Sequence, residues 1–242
     1  MVLQSILMGA WGIMSYKKKI VVTGSEGLIG RQIVKDLKDT YDIVKLDKQI
    51  GHDLNNAKFV ESFFIENKHL YGMIICHAHN PLPLKNTKKI EPHEQDLEEL
   101  RQYFETNTIS CFNLCKNFIK NNSGGNIVTI SSLYGINSPK HHIYNNFVKP
   151  IGYSLSKSSV VIMTKYLASY YAPKFKINCV VLGGVYDKKF DKKFVKVYNE
   201  NVPFKRMMSV EETTGIFKFL LSDDSSYATG AVYTIDGGWS TW

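Results

Sequence analysis

From residue 18 onward, short apolar runs alternate with longer amphipathic stretches, and no other feature of this chain narrows its fold as far. The runs lie at 19–22, 43–46, 72–76, 126–130, 176–182 and 232–235, and most are apolar almost without interruption, as in strands buried on both faces. Helical periodicity marks stretches near 29–39, 56–66, 95–121, 154–172 and 210–222. Parallel strands need a crossover of about a dozen residues or more, and an amphipathic helix supplies it. The rhythm therefore predicts an α/β chain with six visible strands, room for a short seventh, and helices on both faces of the sheet. At 242 residues the chain is long enough for one such unit, expected over 18–242. Residues 1–17 read as an N-terminal extension: 1–13 are mildly apolar, lack the basic start of a secretory signal, and leave Met14 as an alternative start. A short arm touching a membrane is the competing reading of that segment.

Composition removes several function classes. No apolar run approaches the roughly 20 residues that span a bilayer, and 44% hydrophobic with 21% charged residues is ordinary for a soluble chain. A net charge of +8 raises the question of nucleic acid. The lysines are scattered, however, and their two concentrations, 17–19 and 188–196, lack aromatic interleaving, so solvated lysine is the expectation and no nucleic-acid partner is predicted. Cys76, Cys111, Cys115 and Cys179 fall in predicted strands and helices without C-x-x-C spacing, and read as reduced, buried thiols of a cytoplasmic protein. His77 and His79 form an H-x-H, and His141 and His142 are adjacent, but no carboxylate or thiolate set completes a metal site, and none is predicted.

IVVTGSEGLIGRQIV places a strand, a turn with Gly24, Gly27 and Gly30, and a helix in succession. Glycine is needed there because the turn visits conformations closed to side chains and because a pyrophosphate approaches main-chain amides at a helix start. The expected dinucleotide contacts in the turn are Gly24, Glu26, Gly27, Leu28, Ile29 and Gly30. Asp47 ends the next strand, where a carboxylate accepts hydrogen bonds from ribose hydroxyls and repels a 2′-phosphate. NAD is favoured; Lys45 and Lys48 keep NADP open, and an Asp in a solvated loop is the plain alternative.

YSLSK sets Tyr153 and Lys157 four residues apart on one helix face. A phenol is a weak acid at neutral pH, and a nearby ammonium is expected to lower its pKa and fit it for proton exchange with a carbonyl or alcohol oxygen. Upstream, GGNIVTISSLYG is a strand ending in Ser131 and Ser132; alternation turns only one hydroxyl to the site, and Ser132 is the choice. Between these motifs, 134–152 has no period, contains Pro139 and Pro150, and reads as a loop facing substrate.

Taken with the ending FLLSDDSSYATGAVYTIDGGWS, these motifs resemble the short-chain dehydrogenase/reductase family over 18–242. The resemblance implies a three-layer, doubly wound Rossmann fold with a mostly parallel sheet of six to seven strands, and an NAD(P)-dependent oxidoreductase. It implies a tetrad of Asn107, Ser132, Tyr153 and Lys157, with Asn107 bending its helix and joining a proton relay. It adds Asp53, Leu54, Ala78, Gly183 and Val185 to the cofactor set, with Lys157 also holding the nicotinamide ribose. Three departures stand out: the turn is TGxxGxxG, as in the extended epimerase-like branch; N-N-A-G is replaced by CHAH at 76–79; and the usual P-G is Leu182-Gly183.

KPIGYSLSK and VIMTKYLASYY further resemble a bacterial subgroup of flagellin modification and surface-polysaccharide synthesis, which implies a sugar phosphate or nucleotide sugar as substrate. Lys188, Lys189, Lys192, Lys193 and Lys196, in the position of the family's substrate lid, are candidates for its phosphate, with a solvated helix face as the alternative. Competing functions are a 3-oxoacyl-type reductase, an epimerase or dehydratase of the extended branch, and a catalytically silent dinucleotide-binding protein. Relatives form dimers or tetramers through the helices bearing Asn107 and Tyr153 and through the C-terminal segment, which implies a homo-oligomer with Trp239 and Trp242 between subunits.

Overall fold

The computed structural model describes residues 17–83, 89–144 and 146–242. The extension read over 1–17 lies outside them except for Lys17, whose Nζ donates to the Lys38 carbonyl at 3.0 Å.

Six strands form one sheet: β1 (Lys18–Thr23), β2 (Tyr41–Leu46), β3 (Gly72–Ile75), β4 (Gly125–Ser132), β5 (Phe175–Leu182) and β6 (Val232–Ile235), in the order β2-β1-β3-β4-β5-β6. Every pairing is parallel, where the sequence suggested a mostly parallel sheet. No seventh strand occurs among the described residues; beyond β2 the chain makes a 3-10 turn, Lys48–Ile50, capped by Asp47. From β1 the chain steps outward to β2 and then returns to place β3 on the other side, so a crevice opens past the carboxyl end of β1. Register aligns Thr23 with Ile75 and Ser132 with Leu182, and a single rim carries the residues that follow each strand.

Strand alternation divides the core between the two faces. Val21, Met73, Ile127 and Ile177 pack with Phe64, Leu114 and Phe118 of α2 (Ala57–Glu66) and α4 (Ser110–Asn121). Ile20, Val22, Ile74 and Val128 pack with Ile33, Leu37 and Phe217 of α1 (Leu28–Leu37) and α7 (Gly215–Leu221). The central strands β1, β3, β4 and β5 are buried almost throughout because both faces are covered, whereas the edge strands β2 and β6 are only partly buried. A third cluster, including Tyr153, Tyr198 and Trp239, covers the carboxyl rim.

Several expectations are corrected. The helical stretch at 95–121 is α3 (Leu97–Phe104) and α4 joined by a π turn, Glu105–Ile109. The segment 134–152 is not open loop: it contains 3-10 turns at Leu133–Gly135 and His141–Ile143, it buries Ile143, Tyr144 and Phe147, and α5 (Ile151–Tyr171) starts inside it. α6 (Lys192–Glu200), not among the stretches marked by helical periodicity and named only as an alternative for its lysines, begins at Asp191, whose carboxylate accepts from Lys193 N at 2.8 Å. Cys76 is half-buried and lies just past β3, unlike the other three cysteines. Trp239 is buried within its own chain against Tyr198, ring centroids 4.6 Å apart, while Trp242 is exposed.

Candidate active site

A cavity of about 350 Å³ opens at the carboxyl rim, with the glycine turn along one side and the start of α5 along the other. Gly24 has φ +62°, and a Cβ there would lie 2.6 Å from His77 N; a Cβ on Gly30 would overlap the Gly24 carbonyl. Only glycine lets the turn fold this tightly against the chain after β3. No side chain caps α1, and Leu28, Ile29 and Gly30 of its first turn line the cavity together with Gly24 and Gly27. A side-chain-free cradle at an uncapped helix start fits a dinucleotide's pyrophosphate. Ala78, Gly183 and Val185 line the same space farther along.

Tyr153 and Lys157 line the cavity as well, whereas Glu26, Asp47, Asp53 and Leu54 lie outside its wall. Asp47 is buried and accepts from Glu26 N at 3.0 Å and Gln49 N at 2.8 Å, which leaves each carboxylate oxygen one further lone pair. Glu26 pairs with Lys45 at 3.1 Å and Arg31 at 3.4 Å, and the Lys45 hydrogen bond is the main cause holding its carboxyl below the usual range. Asp53 is exposed and accepts from Asn55 N, and Leu54 is packed in the core beneath α2.

Ser132, Tyr153 and Lys157 share the other end of the cavity. The two serines at the end of β4 divide their work. Ser131 Oγ donates to the Lys157 carbonyl at 2.7 Å, tying β4 to α5, while Ser132 Oγ accepts from Tyr134 N at 3.2 Å and lines the cavity with Tyr153. The expected acidification of the phenol is not found: burial raises the Tyr153 pKa, and the neighbouring Ser132 hydroxyl offsets this only in part. Lys157 Nζ donates to the Ile130 carbonyl at 2.8 Å, and its own pKa is lowered by burial.

Asn107 sits in the π turn, buried and outside the cavity. Its Oδ1 accepts from His79 N at 2.7 Å, and its Nδ2 donates to the His79 carbonyl at 3.1 Å and to Ser156 Oγ at 3.0 Å. The CHAH segment, divergent in side chains, is thus held by its backbone, and Thr23 Oγ1 also accepts from Cys76 N at 3.1 Å. His77 bridges Thr23 Oγ1 at 2.8 Å and Ser110 Oγ at 2.6 Å, so both ring nitrogens are engaged by hydroxyls.

Residues 19–240 match the family model described as enoyl-(acyl carrier protein) reductase, a short-chain dehydrogenase model. The chain belongs to the short-chain dehydrogenase/reductase family. It is 31% identical over 125 residues to post-translational flagellin modification protein A of Campylobacter coli, a match spanning 50% of this chain and 48% of that one. It is 30% identical over 159 residues to glucose 1-dehydrogenase 2 of Bacillus subtilis, spanning 61% of this chain and 57% of the relative. The matches therefore cover about half the length of these two curated relatives. A solved short-chain dehydrogenase from Leptospira borgpetersenii with bound NAD+ superposes with a TM-score of 0.83 at 26% identity, over 93% of each chain.

Within this short-chain dehydrogenase/reductase, the sequence reading missed most of the cavity wall opposite the glycine turn. Tyr134 and Tyr144, from the segment before α5, and Phe190, Phe194 and Tyr198, on and before α6, line it. The spacing of Phe190, Phe194 and Tyr198 is one helical turn each, a stripe that was available in the sequence. The same helix turns Lys192, Lys193 and Lys196 to solvent, and Lys188 and Lys189 in the turn before it are exposed too, all away from the cavity. Lys149 and Asn80 also line the cavity and were not singled out.

Proposed function

We propose that this chain is an NAD(P)-dependent oxidoreductase that moves a hydride between nicotinamide and a carbonyl or alcohol carbon of a sugar, with Tyr153 as the acid/base. The observation that carries the reading is the meeting of Tyr153, Ser132 and Lys157 with a dinucleotide-shaped glycine cradle in one cavity. Bound nicotinamide supplies or accepts the hydride. Ser132 holds the substrate oxygen, and Tyr153 gives that oxygen a proton in reduction or removes one in oxidation. Lys157 secures the floor of the site through Ile130, and Asn107 braces the strand end and α5. Gly24, Gly27, Leu28, Ile29, Gly30, Ala78, Gly183 and Val185 hold the dinucleotide, with Glu26, Asp47, Asp53 and Leu54 toward its adenosine end.

The buried Asp47 carboxylate beside the turn favours NAD, in keeping with the NAD+ in the Leptospira relative. The wall of Tyr134, Tyr144, Phe190, Phe194 and Tyr198 favours a sugar, because aromatic faces pack on the C–H face of a pyranose while phenol hydroxyls meet its oxygens. The flagellin-modification and glucose dehydrogenase relatives point the same way. A second reading, a 3-oxoacyl substrate, is favoured by the apolar contributions of Leu82, Pro83 and Met207 and by the family model's description. Exposed apolar residues on the π turn, α4 and α5, among them Ile109, Phe112, Ile162 and Tyr166, support a homo-oligomer built on those helices.

The test is a panel of keto-sugars, free and phosphorylated, together with a 3-oxoacyl thioester, each mixed with NADH or NADPH. Loss of the reduced-nicotinamide absorbance with a keto-sugar is expected, and Tyr153→Phe should abolish it. Turnover of the thioester alone assigns the second reading, and binding without any turnover makes the chain a silent dinucleotide-binding protein.

A further inference from the structure

Lys149 stands one residue before the N-cap of α5 and is 7% exposed. Its Nζ lies 3.9 Å from the centroid of the Tyr153 ring and donates to Asn80 Oδ1 at 2.6 Å and to the Pro81 carbonyl at 2.8 Å. An ammonium has three donors. Two go to neutral oxygens of the chain after β3, and the remaining approach is to the face of the phenol ring. Among the described residues no carboxylate forms an ion pair with it. A buried ammonium held only by neutral groups is costly, so a group that gains negative charge nearby is strongly coupled to it.

We propose that Lys149 is a positioning residue for Tyr153: its ammonium, hung from Asn80 and Pro81, seats the phenol ring from one face and makes the phenol a better proton donor while the ammonium is charged. The proposal rests on the reading of Tyr153 as the acid/base. When the phenol O–H breaks and its proton passes to the substrate oxygen, the electron pair stays on the phenol oxygen, and the ring becomes a richer partner for the cation above it. Lys157, the lysine picked out by the sequence, is tied to a backbone carbonyl instead.

The charge on Lys149 changes within the working range. Burial, followed by repulsion from Lys157, pushes its pKa down to about 7. Among the described residues, the charged or titratable groups around it are Lys157 and Tyr153 on α5, Cys76, Tyr134, Tyr144, Asp187 and Tyr198 around the main cavity, and Glu91 and Glu99 across a smaller cavity of about 120 Å³ on its other side. As pH rises through about 7 the ammonium loses its proton, the ring loses its cation, and proton donation by Tyr153 weakens.

Two readouts test this. In the whole protein labelled with 13C at the tyrosine ring, the Tyr153 signal, assigned with Tyr153→Phe, should inflect near pH 7. That inflection should vanish in Lys149→Met and in Lys149→Arg, and move to lower pH in Asn80→Ala, which removes one acceptor from the ammonium. In kinetics with NADH and the keto-sugar turned over best, the reduction rate should fall about fivefold between roughly pH 6 and 8, the Brønsted response to about one unit of phenol acidity. Lys149→Met should stay at the lower rate throughout and Lys149→Arg at the higher. An inflection near 7 that persists in Lys149→Met, or in Lys149→Arg if the former does not fold, assigns the titration elsewhere and overturns the proposal. Full turnover by Tyr153→Phe overturns the acid/base reading instead, and leaves the Lys149 titration to be judged on the spectra alone.

Discussion

Asn107 clasps the His79 peptide from both sides, accepting from its N–H at 2.7 Å and donating to its carbonyl at 3.1 Å. The clasp fastens the chain after β3 to the π turn, and the bond to Ser156 carries it to α5. Asn107→Leu strands buried donors and acceptors, and is expected to cost about 1–3 kcal/mol. Urea denaturation measures this, and turnover should fall with it because Asn80, Pro81 and Tyr153 are anchored to the segments that loosen.

Tyr153→Phe removes one hydroxyl from a cavity wall and leaves the ring packing intact. The expected result is a loss of about 10²–10⁴ in kcat, the range for a general acid/base. Dinucleotide affinity, followed by fluorescence titration, should be nearly unchanged.

His77 gives the fold a pH dependence of determinate sign. Burial, with repulsion from Lys157, pushes its pKa down from 6.5 to about 4. Between those values the unfolded chain holds the proton and the folded chain does not, so stability rises with pH across that window. The contribution is complete above about 6.5, is lost as pH falls through about 4, and is on the order of 3 kcal/mol. Denaturation of the wild type and of His77→Gln at several pH values between 4 and 7.5 should converge at the acid end and diverge toward neutrality.

The lysines of α6 and the turn before it face solvent, whereas Phe194 faces the cavity. Lys189→Ser with Lys193→Ser is expected to leave the KM of a phosphorylated keto-sugar unchanged. Phe194→Ala should raise KM for the same substrate by removing a ring from the wall. A rise in KM in the lysine variant would return the phosphate role to that face.

The strands, the glycine turn and the Tyr153–Lys157 pair were legible because each depends on local spacing: apolar continuity for β1 to β6, three glycines between a strand and a helix, four residues on one helix face. The choice of Ser132 rested on the same kind of local rule, alternation along β4. Features that depend on distant segments were not legible. The π turn adds one residue between α3 and α4, too small a phase shift to break the apolar pattern of 95–121, and only the family resemblance pointed to a bend at Asn107. The apolar stripe of α6 is interrupted by lysines, which drew attention to charge and away from the aromatics between them. Lys149 acquires its meaning only where the chain after β3 meets the start of α5. The raised pKa of Tyr153 follows from burial, which no motif encodes.

Tyr198 joins two environments. Its hydroxyl accepts from Gly184 N at 2.6 Å, its ring lines the cavity, and the same ring stacks on Trp239. Trp239 is therefore one ring away from the space offered to a dinucleotide, and the fluorescence of this indole serves as a built-in gauge of occupancy, quenched by energy transfer when a reduced nicotinamide enters.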